Sequence, residues 1–287
     1  MTFELKEDKV SVLNLTIYKY FLPKSLIFPI LLGTFMLFMG LLMGAIWPEF
    51  ESVIKDPGFQ QLLSSGFYQA LIPGSGSIPM DTYMGFWAME LMTILEIFTL
   101  FIAVLLPARI ISNEVDKNTL DIALSYPIPR WQFVFQKFLV YLSQMVIFIF
   151  LLSLGAVIST QIAGQPFDYE ALFLASVAIF ILFFTFGSLS LFAASLFLDS
   201  GRSYVMAGIF VIGSYLINLI GEILVLGGEE FKQLEIIKNL SIHYYLVPGD
   251  VLGTGSLPVV ETLIVLSIGI LAFIGALFVF QKKELAY

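Results

Sequence analysis

Six apolar runs of about twenty residues or more divide the chain and leave few ways for it to fold. A helix of that length crosses roughly 30 Å of hydrocarbon. The composition agrees, since 59% of the 287 residues are hydrophobic, 13% are charged and the mean hydropathy is +0.94. We therefore predict an all-α membrane protein with six transmembrane helices, a single domain over residues 1–287 in contact with membrane lipids. The predicted spans are 26–46, 86–106, 138–162, 171–198, 204–226 and 259–280.

Several function classes are disfavoured by residues that the sequence lacks. The net charge of −8 leaves no basic face for nucleic acid, and the absence of cysteine removes disulfides and thiolate metal sites. No Gly-x-x-x-x-Gly-Lys-Ser/Thr loop is present, so we expect this chain to bind no cofactor. The single histidine, His243, argues against a zinc site. Without a Gly-x-Ser-x-Gly stretch, it is interpreted as an aromatic-belt residue at the membrane interface rather than a hydrolase base.

Positive charge is distributed unevenly among the segments that join the spans. Eleven of the fourteen lysines and arginines lie before the first span, between spans two and three, between spans four and five, or after the sixth. The other segments contain only Lys55, Lys232 and Lys238. Because cytoplasmic loops carry the excess of basic residues, we predict that both termini and the loop between spans two and three are cytoplasmic, in a plasma-membrane protein.

Residues 2–25 precede the first span and combine four lysines with interleaved apolar residues. The stretch is too short and too polar to span, so we predict an amphipathic helix that lies in the membrane interface. It lacks the pattern of a cleaved signal peptide, and we expect the first span to be retained. Within that span, Gly40 and Gly44 share one face and would let another helix pack closely; the alternative is that these glycines occur there by chance.

The polar interruption at 107–137 contains a pattern typical of a short helix. Asn118 and Thr119 can cap its start, and it ends before Pro127, because a residue before proline is pushed out of the helical region. We predict an amphipathic helix that docks into a partner protein. The alternative is a helix resting on lipid headgroups, which would be expected to be less acidic. The apolar residues of this helix are Leu120, Ile122, Ala123 and Leu124.

The same segment resembles the signature between the second and third spans of the permease subunits of ABC type-2 exporters. That signature looks like Glu, then Gly-Thr-Leu, a Leu-rich turn, Pro, an aliphatic residue, Ser or Thr, Arg, and Gly-Lys at the start of the third span. The chain departs from it at Asn118, Pro129 and Gln136. The order of the other segments is also similar to that family. The residues that carry the resemblance are Glu114, Thr119, Leu120, Leu124, Pro127, Ile128, Arg130 and Lys137.

The resemblance implies a function and a set of partners. Such permeases act as dimers, with a second copy or a close homologue, and with two separate ABC ATPase subunits that bind ATP and Mg²⁺. The loop helix between spans two and three, the coupling helix, seats in a cleft of the ATPase. Its apolar residues would form the buried face. The polar rim would consist of Glu114, Asp116, Asp121 and Arg130. The implied ATPase-coupling residues are Glu114, Asn118, Thr119, Leu120, Asp121, Ile122, Leu124, Pro127 and Arg130.

Glu90, Glu96 and Glu222 are acidic residues within the second and fifth predicted spans. Glu96 is ten residues before Leu106, which places it roughly 15 Å along the helix axis and near the bilayer midplane. A charge there costs at least about 2.5 kcal/mol unless it is protonated, paired or facing water. We predict Glu96, with Glu90 and Glu222 nearer the outer interface, as candidates for a substrate pathway. The alternatives are a structural hydrogen bond for Glu96 and simple access to water for the other two.

Two functions of different classes remain open. The first is the membrane-spanning permease of an ATP-driven exporter, in which this chain is not itself an enzyme. The second is a membrane scaffold or channel whose cytoplasmic loop docks a protein that is not an ATPase. The sequence decides neither the transported substrate nor whether the dimer is a homodimer or a heterodimer. The segments 47–86 and 227–258 are interpreted as polar outer loops.

Overall fold

The computed structural model of the chain describes residues 15–63, 82–117, 119, 129–226 and 236–283. It leaves out the side chains of residues 63, 89–100, 222, 225 and 226. The described residues form helices and turns without a strand, which confirms the all-α class. The α-helices are α1 (Thr16–Ser25), α2 (Ile27–Ile54), α3 (Pro57–Leu63), α4 (Tyr83–Asp116), α5 (Arg130–Ala163), α6 (Tyr169–Phe197), α7 (Ser200–Leu226), α8 (Ile242–Tyr245), α9 (Pro248–Thr254) and α10 (Val259–Lys282).

Five helices in the described part of the chain are long and apolar enough to cross a membrane. They are α2, α5, α6, the Ser200–Gly221 part of α7, and α10. Helix α4, of 34 residues, covers the predicted second span, but many of its central side chains lie outside the described set. The count of six spans therefore stays a prediction.

The helices extend beyond the predicted spans. Helix α4 continues past Leu106 to Asp116, and α5 begins at Arg130 rather than at Phe138. Helix α2 likewise continues past Ile46 to Ile54. Hydropathy marks only the part of a helix that lipid can cover, whereas helical hydrogen bonding continues as long as side chains find packing partners. The predicted polar interruption at 107–137 is thus largely helical on both sides of the segment 118–128.

Short polar side chains define where several helices begin. Each accepts a hydrogen bond from a backbone N–H group of the first turn, which would otherwise lack a partner. At the other end of α5, Gly164 adopts the left-handed conformation (φ 64°), which glycine tolerates and which ends the helix. The chain then reverses direction into α6. The capping residues are Asp56 for α3, Thr82 for α4, Asp168 for α6 and Asp199 for α7.

Two pairs of parallel helices pack closely at glycine positions. Along α2 and α5, a Cβ atom at Gly40 would lie 3.0 Å from the carbonyl carbon of Gly155, and one at Gly44 would lie 2.5 Å from the carbonyl oxygen of Ser159. Along α6 and α10, a Cβ atom at Gly269 would lie 2.7 Å from Thr185 Oγ1. The glycine face of the first span therefore lies against α5, where only a hydrogen atom fits.

Aromatic side chains join the end of α2 to the start of α4. The Trp47 ring lies 5.1 Å from Tyr83 and 5.4 Å from Phe86, and all three residues are buried. A short helix, α3, follows α2 within the segment interpreted as an outer loop, and residues 64–81 lie outside the described ranges. This end of α2 is thus part of the bundle rather than an outer loop.

The described part of the segment between α7 and α10 folds back into the bundle, which corrects its interpretation as a polar loop. Its described part, 236–255, contains α8 and α9, and Leu246, Val251 and Leu252 are almost completely buried. His243 is 4% exposed, so its interpretation as an interfacial belt residue is wrong. Glycine and proline interrupt the apolar residues of this segment, so its sequence does not look like a buried run. Its burial comes from the neighbouring helices that cover it.

Candidate functional site

Five helices bring their ends together beside the segment 118–128. We call this the loop end of the bundle, and the other the opposite end. Direct contacts support the grouping, since the Ser200 hydroxyl donates a hydrogen bond to the Asp116 carboxylate and Lys283 Nζ donates one to the carbonyl of Leu196 at 2.6 Å. The helix ends concerned are Asp116 of α4, Arg130 of α5, Phe197 of α6, Ser200 of α7 and Lys282 of α10.

Glu114, Thr119 and Lys137 meet at the loop end and form what we call the base cluster. Lys137 Nζ donates to Glu114 Oε1 at 2.5 Å, and the Thr119 hydroxyl donates to Glu114 Oε2. The Thr119 backbone N–H also donates to the Glu114 carbonyl at 2.9 Å. The side chains of Lys137 and Glu114 are only 8% and 13% exposed. The cluster therefore attaches the start of the segment to the first turns of α5.

The surroundings of the ammonium group make this ion pair difficult to break. The rings of Phe21 and Phe133 lie 4.4 and 4.7 Å from Lys137 Nζ, and the Ile110 carbonyl lies 3.5 Å away. Aromatic faces attract a cation, but they replace water poorly as a solvent for a charge. Each charged group consequently depends on the other. The pair defines the direction in which the chain leaves α4.

Helix α1 is fastened to α5 beside the base cluster. Gln136 Oε1 accepts hydrogen bonds from the backbone N–H groups of Ile17 and Tyr18, at 3.0 and 3.2 Å. These donors belong to the first turn of α1, where no intrahelical acceptor exists. The Tyr18 hydroxyl lies 2.9 Å from Ser143 Oγ, and Gln144 donates to the Ser25 carbonyl at 3.1 Å. Glutamine at position 136, where the family signature has glycine, thus caps the preceding helix.

Three predicted coupling residues, Glu114, Thr119 and Arg130, are described, and all lie at the loop end. The resemblance implies that Glu114 belongs to the polar rim that faces the ATPase, but its carboxylate is paired inside the chain with Lys137. The Arg130 guanidinium donates to the Lys283 carbonyl at 2.8 Å. The predicted coupling helix lies outside the described ranges, and so do the remaining coupling residues Asn118, Leu120, Asp121, Ile122, Leu124 and Pro127.

The predicted pathway residues lie on two helices. Glu90 and Glu96 are in α4 and Glu222 is in α7, but their side chains are among those that the structure leaves out. Their role in a substrate pathway remains a prediction. Among the described residues, no three metal-ligating side chains come together.

Gln136 and Lys137 were not predicted as site residues from the sequence. Their position at the start of an apolar run is the one sign of such a role in the sequence. A charged and an amide side chain need hydrogen-bond or ionic partners when they are buried. Their partners, Glu114 and the first turn of α1, are far away in sequence. Pattern alone therefore indicates the need for partners without identifying them.

In the middle of the bundle, a compact polar network surrounds His243. Its Nδ1 lies 3.2 Å from Ser214 Oγ of α7, and Ser214 Oγ accepts a hydrogen bond from the Ile242 backbone N–H at 2.8 Å. The Phe186 ring of α6 lies 4.7 Å from the imidazole, and Tyr215 meets it edge-on at 5.7 Å. This network holds α8 between two long helices with no charged side chain among these contacts.

We expect acid to destabilise the packing of α8 against α6 and α7 through His243. Burial lowers the pKa of His243 to about 4 from its ordinary value of 6.5. Between these values the unfolded chain binds a proton that the folded chain does not, so stability falls as pH decreases from about 6.5 to 4, by at most about 3 kcal/mol. The measurement is the Tm of the detergent-purified protein across this pH range. His243→Gln should show a weaker dependence, and equal slopes for both proteins would contradict the assignment.

Long apolar helices packed in parallel pairs, with buried polar contacts gathered around one inter-helix segment, define a multi-pass helical membrane protein. A family model described as ABC-2 family transporter protein matches residues 19–285. The chain therefore belongs to the ABC-2 family and is a membrane transport component, a permease subunit of an ABC transporter. No significant match was found among curated proteins or solved structures.

Proposed function

We propose that this chain is the membrane-spanning subunit of an ATP-driven exporter, and that segment 118–128 couples it to a separate ATPase. In this proposal two ATPase subunits bind ATP and Mg²⁺, and two permease chains, identical or homologous, form the membrane part. The chain crosses the plasma membrane six times, with the loop end and both termini in the cytoplasm. The transported substrate crosses between the helices, and Glu96 is the first pathway candidate.

The observation that carries this proposal is the base cluster. A segment that only lay on the bilayer would need no buried ion pair at its root. Here Lys137 and Glu114 exchange water for each other and for aromatic rings, and the desolvation of both charges is offset only while their close geometry and hydrogen bonds are kept. That geometry makes the start of the segment continuous with α4 and α5. A force applied to the segment is then passed to both helices, since packed elements move as rigid bodies.

The distribution of charge supports the proposed orientation. Arg109, Lys117, Arg130 and Lys137 belong to the polar interruption, and the first and last segments are also basic. An excess of lysine and arginine retains a segment in the cytoplasm, where ATP is available to a partner. The contrasting proposal, a scaffold or channel that docks another protein, requires the same orientation but no ATPase.

The experiment replaces the apolar face of the proposed coupling helix. We expect Leu120→Asp with Leu124→Asp to abolish association with the ATPase, because two carboxylates cannot be desolvated in an apolar cleft. The full-length chain is affinity-purified from its native membrane, and co-eluting, vanadate-sensitive ATP hydrolysis is measured. The hydrolysing chain is identified by its Gly-x-x-x-x-Gly-Lys-Ser/Thr loop.

A matched control introduces two Asp residues at exposed apolar positions far from the segment 118–128. Leu62 and Ile236 are 52% and 69% exposed and lie outside the spans at the opposite end, so Leu62→Asp with Ile236→Asp should leave the complex intact. Unchanged association of the Leu120 and Leu124 variant would contradict docking at this segment. Purification of the unaltered chain without any ATPase would favour the scaffold or channel.

A further inference from the structure

The carboxyl end of α10 makes three hydrogen bonds to other helices at the loop end. Arg130 Nη1 donates to the Lys283 carbonyl at 2.8 Å, and the Trp131 backbone N–H donates to Gln281 Oε1 at 3.1 Å. Lys283 Nζ donates to the Leu196 carbonyl at the last turn of α6, at 2.6 Å. Gln281, in the last turn of α10, and Lys283, just after it, therefore connect the first turn of α5 to the last turn of α6. We call Gln281 and Lys283 the α10 tie.

Helices α6 and α10, which the α10 tie joins at the loop end, also pack closely along their length. A Cβ atom at Gly275 of α10 would lie 3.2 Å from the Phe192 ring of α6, and Thr185 Oγ1 of α6 donates to the Val265 carbonyl of α10 at 3.1 Å. The Phe273 ring also stacks on Phe138 of α5 at 4.7 Å. Such contacts along a helix favour rigid-body movement over bending.

The segment 118–128 is consequently attached at both ends, to different partners. At its start, the base cluster attaches it to α4 and α5. Just beyond its end, Arg130 and Trp131 attach it to α10 and, through Lys283, to α6. The first attachment is buried, whereas Gln281 is exposed and its bond to Trp131 competes with water. An exposed hydrogen bond adds little stability, so stability is a weak explanation for the bond between Gln281 and Trp131, whereas the two bonds of Lys283 are half-buried.

We propose that Gln281 and Lys283 are positioning residues that pass the displacement of segment 118–128 to α10 and α6. This inference rests on the proposed function, since it requires an ATPase that displaces the segment. Without the α10 tie, the ATPase would still bind and would still move α4 and α5. The last span would move less, because only the Arg130 bond to the Lys283 backbone carbonyl and the Phe273–Phe138 contact would still join it to α5.

The test uses the absence of cysteine from the chain. A single cysteine introduced by Glu261→Cys lies in the exposed first turn of α10, at the opposite end, and reports movement of this helix by its rate of maleimide labelling. The parent protein is the full-length Glu261→Cys chain in complex with its ATPase in lipid nanodiscs. Labelling is compared without nucleotide and with ATP plus vanadate. We expect the rate to change by about fivefold or more, the lower end of typical coupling between sites.

Gln281→Ala with Lys283→Met removes both side-chain contacts of the α10 tie and should reduce this change to less than about twofold, with the ATPase still bound and active. The control is Lys282→Met, because the Lys282 ammonium contacts the Phe278 ring of its own helix, 4.2 Å away. It should respond as the parent does. Gln281→Glu with Lys283→Arg retains an acceptor and a cationic donor, and it should restore the response. If this variant regains the labelling response, the loss in the Gln281→Ala, Lys283→Met variant is due to the missing contacts and not to misfolding.

Three results would overturn the inference. The first is a parent-like response in the Gln281→Ala, Lys283→Met variant, and the second is loss of the response that Gln281→Glu with Lys283→Arg does not restore. The third is a parent whose ATPase hydrolyses ATP while α10 labelling stays constant. A parent that binds no ATPase would instead overturn the proposed function, and the inference with it.

Discussion

Lys137→Met should destabilise the protein by about 3–5 kcal/mol, because it leaves the Glu114 carboxylate buried without its cation. The methionine replaces the aliphatic stem of the lysine, so the loss reports charge rather than volume. Neither Thr119 nor the surrounding Phe21 and Phe133 rings can neutralise the remaining charge. The measurement is the unfolding free energy from a titration of the detergent-purified protein with a denaturing detergent.

A second substitution should rescue most of this loss. Replacing both members of a buried ion pair with apolar residues of similar size is often neutral or stabilising, so Lys137→Met with Glu114→Leu is expected to approach the unaltered protein. The double variant would still lack the attachment of the segment to α5, and we expect it to hydrolyse less ATP in the complex although it folds.

An exposed Lys–Glu pair with a similar nitrogen–oxygen distance provides the control. Lys55 Nζ lies 2.6 Å from Glu51 Oε1, but the two side chains are 60% and 33% exposed. Lys55→Met should therefore cost no more than about 1 kcal/mol, since water screens an exposed pair and solvates the remaining carboxylate. Similar losses for Lys137→Met and Lys55→Met would show that burial of the base cluster does not matter for stability.

Gly44→Ala should cost about 1–3 kcal/mol, although alanine is the better helix former. The added methyl group would lie 2.5 Å from the carbonyl oxygen of Ser159 and 3.0 Å from its Cα atom. Both are backbone atoms of α5, so the clash is relieved only by moving the two helices apart. Separation would disturb the neighbouring contact of Gly40 with Gly155. The same detergent titration measures the loss.

The control for this prediction is another helical glycine. Nothing lies within 4 Å of the position that a Cβ atom would occupy at Gly213 of α7. Gly213→Ala is therefore expected to be neutral or to stabilise the protein by up to about 1 kcal/mol, through helix propensity alone. If Gly44→Ala behaved in the same way, the close approach of α2 to α5 would not exist in the folded protein.

Some of these contacts could have been anticipated from the sequence, and others could not. The spacing of Gly40 and Gly44 indicates a face for close packing, but nothing in it selects α5 as the neighbour. Glu114 and Lys137 belong to a single motif, yet the pattern gives no sign that they meet each other rather than a partner. His243 carries no signal of burial, because glycine and proline interrupt its neighbourhood.

The sequence by itself determined that this is an all-α membrane protein of the ABC-2 family, since the length of an apolar run and the residues of a loop motif are properties of contiguous stretches. Only the tertiary structure decided that α2 and α5 run in parallel contact, that α8 and α9 fold back beneath the opposite end, and that Lys137 neutralises Glu114. Those outcomes depend on which distant residues exclude water from each other, and solvent exclusion is a property of the assembled bundle.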